Sequence, residues 1–114
     1  MEELLHYVWK HKLFTLKPLQ TTDGQPIDPG LANMHAGPDF FNAKIKINDV
    51  TWVGNIEIHQ QASDWFRHNH HLDPTYDSVI LHVASDIDAV PTRSNGEIIP
   101  QMELHYPPYL LENY

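Results

Sequence analysis

From Phe41 to Ile47 the chain alternates, with Phe41, Ala43, Ile45 and Ile47 on one side and Lys44 and Lys46 on the other. A two-residue period is the mark of a strand with one face buried and one in water. Asn48-Asp49 then supplies turn chemistry, and Thr51-Trp52-Val53 resumes a β-prone run. The expected unit is a hairpin of Asp39 to Ile47 with Thr51 to His59. Each of its strands carries one acidic residue where an apolar one is expected, Asp39 in the first and Glu57 in the second.

Register decides what those acids can do. A three-residue loop at Asn48, Asp49 and Val50 sets Asp39 opposite His59, Phe41 opposite Glu57 and Ala43 opposite Asn55. Asp39, Glu57 and His59 then converge on one face. A two-residue loop shifts the pairing by one and sends the two acids to opposite faces, because a one-residue slip turns every side chain over. The three-residue loop is expected, since the alternative leaves each carboxylate alone on a half-buried surface.

The remaining pattern makes the fold α+β. Glu2 to Lys12 reads as a helix with Leu4, Leu5, Val8 and Trp9 on one stripe; His6 and His11 read as surface residues of that helix. Asp23-Gly24 marks a hairpin between Leu19–Thr22 and Gln25–Ile27, which nearby prolines confine to a sheet edge. Ser63 with Asp64 behind it has the pattern of a helix N-cap, so Trp65 to His68 is expected as a short helix ending near Asp73-Pro74. Val79 to Ala84 is apolar on both faces apart from His82 and reads as a buried strand. Ala89–Arg93 and Ile98–Leu104 flank Ser94-Asn95-Gly96 as a C-terminal hairpin.

A chain of 114 residues makes a single domain, 1–114. It has no cysteine, which excludes disulfides and thiolate metal sites and leaves His, Asp and Glu as the available metal ligands. No apolar run approaches a signal-peptide core or a membrane span, so no membrane partner is expected, and the expected setting is cytoplasmic. Seven Lys and Arg against fifteen Asp and Glu give a formal charge of -8, so basic surface for a nucleic acid would have to come from elsewhere in a full-length protein. Tyr106 to Leu111 is apolar for a terminus and reads as a surface for the remainder of a longer polypeptide, of which this chain is the N-terminal piece.

Two carboxylates on neighbouring strands with a nitrogen base two positions beyond the second suit metal-assisted hydrolysis: Asp39 and Glu57 bind Mg²⁺ or Mn²⁺, and His59 orients or deprotonates water. His68, His70, Asp73, Tyr76 and His82 are further candidates. Asp39 after Gly37-Pro38, followed by Glu57-Ile58-His59, resembles the Pro-Asp…(Asp/Glu)-x-Lys signature of the PD-(D/E)XK nuclease superfamily. That resemblance implies a restriction-endonuclease-like mixed sheet with flanking helices and metal-dependent phosphodiester cleavage. The chain departs from it by placing His59 where the signature has lysine, giving up a fixed positive charge. Asp28-Pro29-Gly30, Ala36–Phe40, Gly54–His59, Ser63-Asp64-Trp65 and Leu81-His82-Val83 resemble an uncharacterised bacterial family of unknown function with several-fold longer members. That likeness implies no activity.

Other readings stay open. Asp39 can cap the turn after Pro38 while Glu57 pairs with Lys44 or Lys46, leaving a non-catalytic scaffold. His68, His70 and Asp73 can form a small metal-binding module instead. His82 in an apolar strand reads first as a satisfied core histidine.

Overall fold

The computed structural model describes residues 2–17 and 24–110. Helix α1 (Glu2–Lys10) begins with Glu2 and Glu3 and closes with Lys10, both favourable to the helix dipole. It stops short of the expected Lys12, which takes a left-handed φ of 54°. Strands β1 (Thr15–Lys17), β2 (Gly24–Asp28), β3 (Leu31–Ala32), β4 (Phe40–Ile47) and β5 (Val50–Gln61) follow, then a one-turn helix α2 (Asp64–Arg67) and two 3₁₀ turns, His70–Leu72 and Pro74–Ser78. Strands β6 (Val79–Asp86) and β7 (Gln101–His105) complete the described chain. The expected strand Leu19–Thr22 lies outside the described residues.

The strands form one mixed sheet in the order β1-β7-β6-β5-β4-β2, with β3 pairing the start of β4. β5, β6 and β7 run parallel, and β2, β4 and β5 are successively antiparallel. One face carries Ala43, Ile45, Ile56, Ile58, Leu81, Val83, Met102 and Leu104, and α1 lays Leu4, Leu5, Val8 and Trp9 on it. The Trp9 indole donates to the Pro29 carbonyl at 3.0 Å and stacks on Phe14, which fixes the helix against the loop beyond β2. Burying such a set, at about 1.5–3 kcal/mol per large apolar side chain, is what holds the layer together. The opposite face carries Glu57, His82 and Gln101, in-register partners across β5, β6 and β7, with His59 two residues further along β5. It is covered by a smaller cluster of Trp65, Val79 and Ile99 with Phe66 and Tyr76.

The hairpin register differs from the expected one. Ile47 pairs with Val50, so the loop has two residues, Asn48 and Asp49, with φ of 48° and 67°. Two left-handed residues make the tight turn whose twist matches the strands. That register alone would separate Asp39 from Glu57. A bulge restores them: between the pairs Ala43↔Gly54 and Phe40↔Ile56, Phe41 and Asn42 face the single residue Asn55. Asn42 absorbs the extra residue with a φ of 55°, and its N–H donates to the Asn55 side-chain oxygen at 3.2 Å. Asp39 therefore sits across from Glu57 rather than from His59, as the three-residue loop would have it, and the two acids stay together.

Two other expectations are corrected. Ser63 does not cap α2; it has helical angles, and its hydroxyl donates to Asp88 at 2.7 Å instead. The C-terminal hairpin shrinks to one bridge, Thr92↔Ile98, although the Ser94-Asn95-Gly96 turn forms. Pro91 and Pro100 have no N–H for a ladder, and Gln101–His105 instead joins the sheet between β6 and β1.

Candidate metal centre

The bulge delivers Asp39 to the end of β4, where its N–H donates to Glu57 Oε1 at 3.1 Å and its Oδ2 accepts from the Ile58 N–H at 2.8 Å. On the far side of Asp39, His6 Nε2 lies 3.3 Å from Oδ2. Glu57 turns its other oxygen to two imidazoles: Oε2 is 3.1 Å from His59 Nε2 and 2.9 Å from His70 Nε2. His68 joins them, since one ligand nitrogen from each of His59, His68 and His70 lies within 4.8 Å of the others. These three could hold a metal ion.

Local sequence explains the convergence. Glu57 and His59 are two apart on β5 and share a face. α2 and the His70–Leu72 turn fold back over that face, with Asn69 supplying a left-handed reversal at φ 59°. Trp65 is fully buried and meets His70 and His82 edge-on, and Tyr76 stacks on His70 with ring centroids 3.7 Å apart. Asp73, expected as a ligand, accepts from the Thr75 N–H at 2.9 Å and starts the next turn.

Behind the cluster runs a second line of hydrogen bonds. His59 Nδ1 is 2.8 Å from His82 Nε2, His82 Nδ1 is 2.7 Å from Gln101 Oε1, and Gln101 Nε2 donates to the Ala89 carbonyl at 2.9 Å. His82 is thus a satisfied core histidine that also touches the site.

Burial and pairing set the charges. Burial works against ionised Glu57, but the His59 and His70 contacts outweigh it and hold the carboxyl down at about 2. Burial raises the Asp39 carboxyl, with the Glu57 charge adding to it and His6 only partly opposing it. The Asp39 contact raises His6. Burial lowers His59, yet the Glu57 carboxylate leaves its net shift upward. Complete burial, with His59 beside it, pushes His82 down to about 3. Burial and the Glu57 and Asp39 charges push the Tyr76 phenol up to about 12.

The donor set also passes a test of fit. His70 Nε2 is buried and close to a carboxylate oxygen, yet makes no hydrogen bond of good geometry. A buried nitrogen in that position is suited to a cation between it and Glu57. Three imidazoles, two of them beside the Glu57 carboxylate, match Zn²⁺ or a similar transition ion; Mg²⁺ prefers an all-oxygen shell.

Sequence reasoning singled out Asp39, Glu57, His59, His68, His70, Tyr76 and His82, and the fold gathers them around one end of β5. It missed His6, read as a surface helix residue, and Gln101. His6 is one turn from the apolar stripe and nothing local marks it as facing Asp39; Gln101 had no signal because its partner strand is distant in sequence.

The fold and site define an α+β domain with an imidazole–carboxylate cluster under a histidine-rich turn. The chain belongs to the family described as Protein of unknown function (DUF2851), whose model matches residues 2–114. No curated protein and no solved structure matches it. No helix among the described residues is long and apolar enough to cross a membrane.

Proposed function

We propose that this domain is a divalent-metal-dependent phosphodiesterase centre. The observation that carries the reading is the single Glu57 oxygen with His59 Nε2 at 3.1 Å and His70 Nε2 at 2.9 Å, beside a second carboxyl at Asp39. With the short strands β1 and β3 set aside, the order α1, β2, β4, β5, α2 and β6, with Asp39 ahead of β4 and Glu57 within β5, supports the nuclease-like version of it.

In this reading Glu57, His59 and His70 hold the ion and His68 closes its exposed side. A divalent ion held by these residues would polarise a phosphoryl oxygen and lower the pKa of a water molecule. Asp39, half-buried with an edge open to solvent and its Oδ2 3.3 Å from His6 Nε2, is placed with His6 to pass a proton to the leaving oxygen. Tyr76 lines the same side and stays a neutral donor. Lys44 and Lys46 are exposed strand residues away from the cluster, so they do not replace the missing lysine of the nuclease pattern.

The burial of Glu57, His59 and His70 favours a second reading, a closed metal site that organises the fold without catalysis. Hydrolysis of a small activated phosphodiester, which needs no basic track, separates the two. Turnover that depends on Mn²⁺ or Zn²⁺ and falls at least ~10²-fold in both Glu57→Gln and Asp39→Asn is expected. Metal binding by the wild-type chain with no turnover in any divalent ion leaves only the closed site.

A further inference from the structure

The Gln101–His82–His59 line settles a question the carboxylates leave open, namely which nitrogen of His59 is free to bind. The Ala89 carbonyl can only accept, so the Gln101 atom 2.9 Å from it is the amide NH₂, and the other atom, Oε1, faces His82. Oε1 can only accept, so His82 Nδ1, 2.7 Å away, carries a proton. His82 is fully buried among Trp65, His59 and the sheet, surroundings that keep it neutral, so its Nε2 is a lone pair. His59 Nδ1, 2.8 Å from that lone pair, must then be an N–H. The remaining nitrogen of His59 is Nε2, the atom 3.1 Å from Glu57.

We infer that Gln101 and His82 are positioning residues that hold the Nδ1 proton of His59 toward His82 and keep its Nε2 turned toward Glu57 and His70, so that Nε2 is the nitrogen whose proton a bound ion would replace, which selects a nitrogen-binding transition ion such as Zn²⁺ over Mg²⁺. The inference rests on the metal centre proposed above and deepens it. Metal-bound imidazoles need their second nitrogen tied to a fixed partner, and loss of that partner commonly weakens metal affinity 10–100-fold. In this chain the partner is itself an imidazole, whose own proton is directed by a neutral amide anchored on the main chain. That arrangement adds no buried negative charge behind the ligand. The carboxylates are then left to the metal side of the cluster.

The test has two arms. In zinc-loaded wild-type protein, long-range ¹⁵N–¹H correlation spectra should show His59 with its proton on Nδ1 and the metal on Nε2. The reverse assignment overturns the inference, and this arm does not depend on any variant folding. In the second arm, Co²⁺ titrations followed by visible absorption compare wild type, Gln101→Leu and Gln101→Glu. Gln101→Leu should bind Co²⁺ at least ~10-fold more weakly with altered bands; Gln101→Glu, which sets an acceptor against the Ala89 carbonyl and a negative charge beside His82, should not restore the wild-type spectrum, and full recovery in it overturns the role of the neutral amide. Millimolar Mg²⁺ should not displace the cobalt. A folded Gln101→Leu with unchanged affinity and spectrum, or displacement by Mg²⁺, overturns the positioning role while leaving the metal centre standing. No binding of Zn²⁺ or Co²⁺ by the wild-type chain removes the centre itself.

Discussion

Glu57 leans on two imidazoles and Asp39 leans on a third, so the acid–base behaviour of the fold is concentrated in a few side chains. In metal-free protein, the depressed carboxyl of Glu57 contributes stability that is complete above its ordinary value of 4.5 and is lost as pH falls toward about 2. His82 acts in the same direction but higher: with its folded value near 3 against an ordinary 6.5, it costs stability progressively as pH falls below 6.5. His59, shifted upward, contributes in the opposite sense, with stability present below 6.5 and lost as pH rises through its folded value. The melting temperature in chelator should therefore begin to fall near pH 6.5, before the carboxylates titrate. In His82→Gln it should start lower and run flatter between pH 6.5 and 5; an unchanged slope in that variant would mean that His82 is not the titrating group. Added Zn²⁺ at a hundredfold excess over Kd should stabilise the wild-type fold by about 2.7 kcal/mol, and Glu57→Gln should lose that shift in thermal scans without unfolding.

The strands show how a legible pattern can still mislead about geometry. Alternation from Ala43 to Ile47 and the turn residues Asn48-Asp49 are local and formed where the sequence puts them, whereas ahead of the bulge Phe40 takes the core place expected for Phe41. Loop length was not legible, because Ile56 and Ile58 are as apolar as Val53 and either register buries a plausible face. The bulge at Asn42 was not legible either, since it needs only one residue willing to adopt a left-handed angle. Its consequence is testable: Asn42→Gly should keep stability within about 1 kcal/mol, whereas Asn42→Val should lose about 1–2 kcal/mol in urea unfolding and lose metal affinity with it. Equal metal affinity in a folded Asn42→Val would show that the bulge does not place Asp39 and Glu57. The C-terminal hairpin failed for a related reason: its turn is local and correct, but the destination of β7 beside β6 depends on a parallel pairing that no nearby residue announces.

At the scale of the whole molecule, composition limited the partners and topology assembled the site. The charge of -8 leaves no basic track, so the purified chain should bind DNA weakly; submicromolar, salt-sensitive binding in a fluorescence titration would contradict that. The histidines His59, His68 and His70 and the Glu57 carboxylate beside two of them were visible as residues, but their meeting requires α2 and its following turn to fold back across β5, with Trp65 and Tyr76 packed behind them. The role of that meeting place depends on whether it holds a metal. Crystals grown with Zn²⁺ and measured at the zinc absorption edge give the answer most directly. The predicted result is one anomalous peak about 2 Å from His59 Nε2 and His70 Nε2 and within bonding distance of Glu57 Oε2. A peak elsewhere in the domain, or none at full zinc loading, would contradict it.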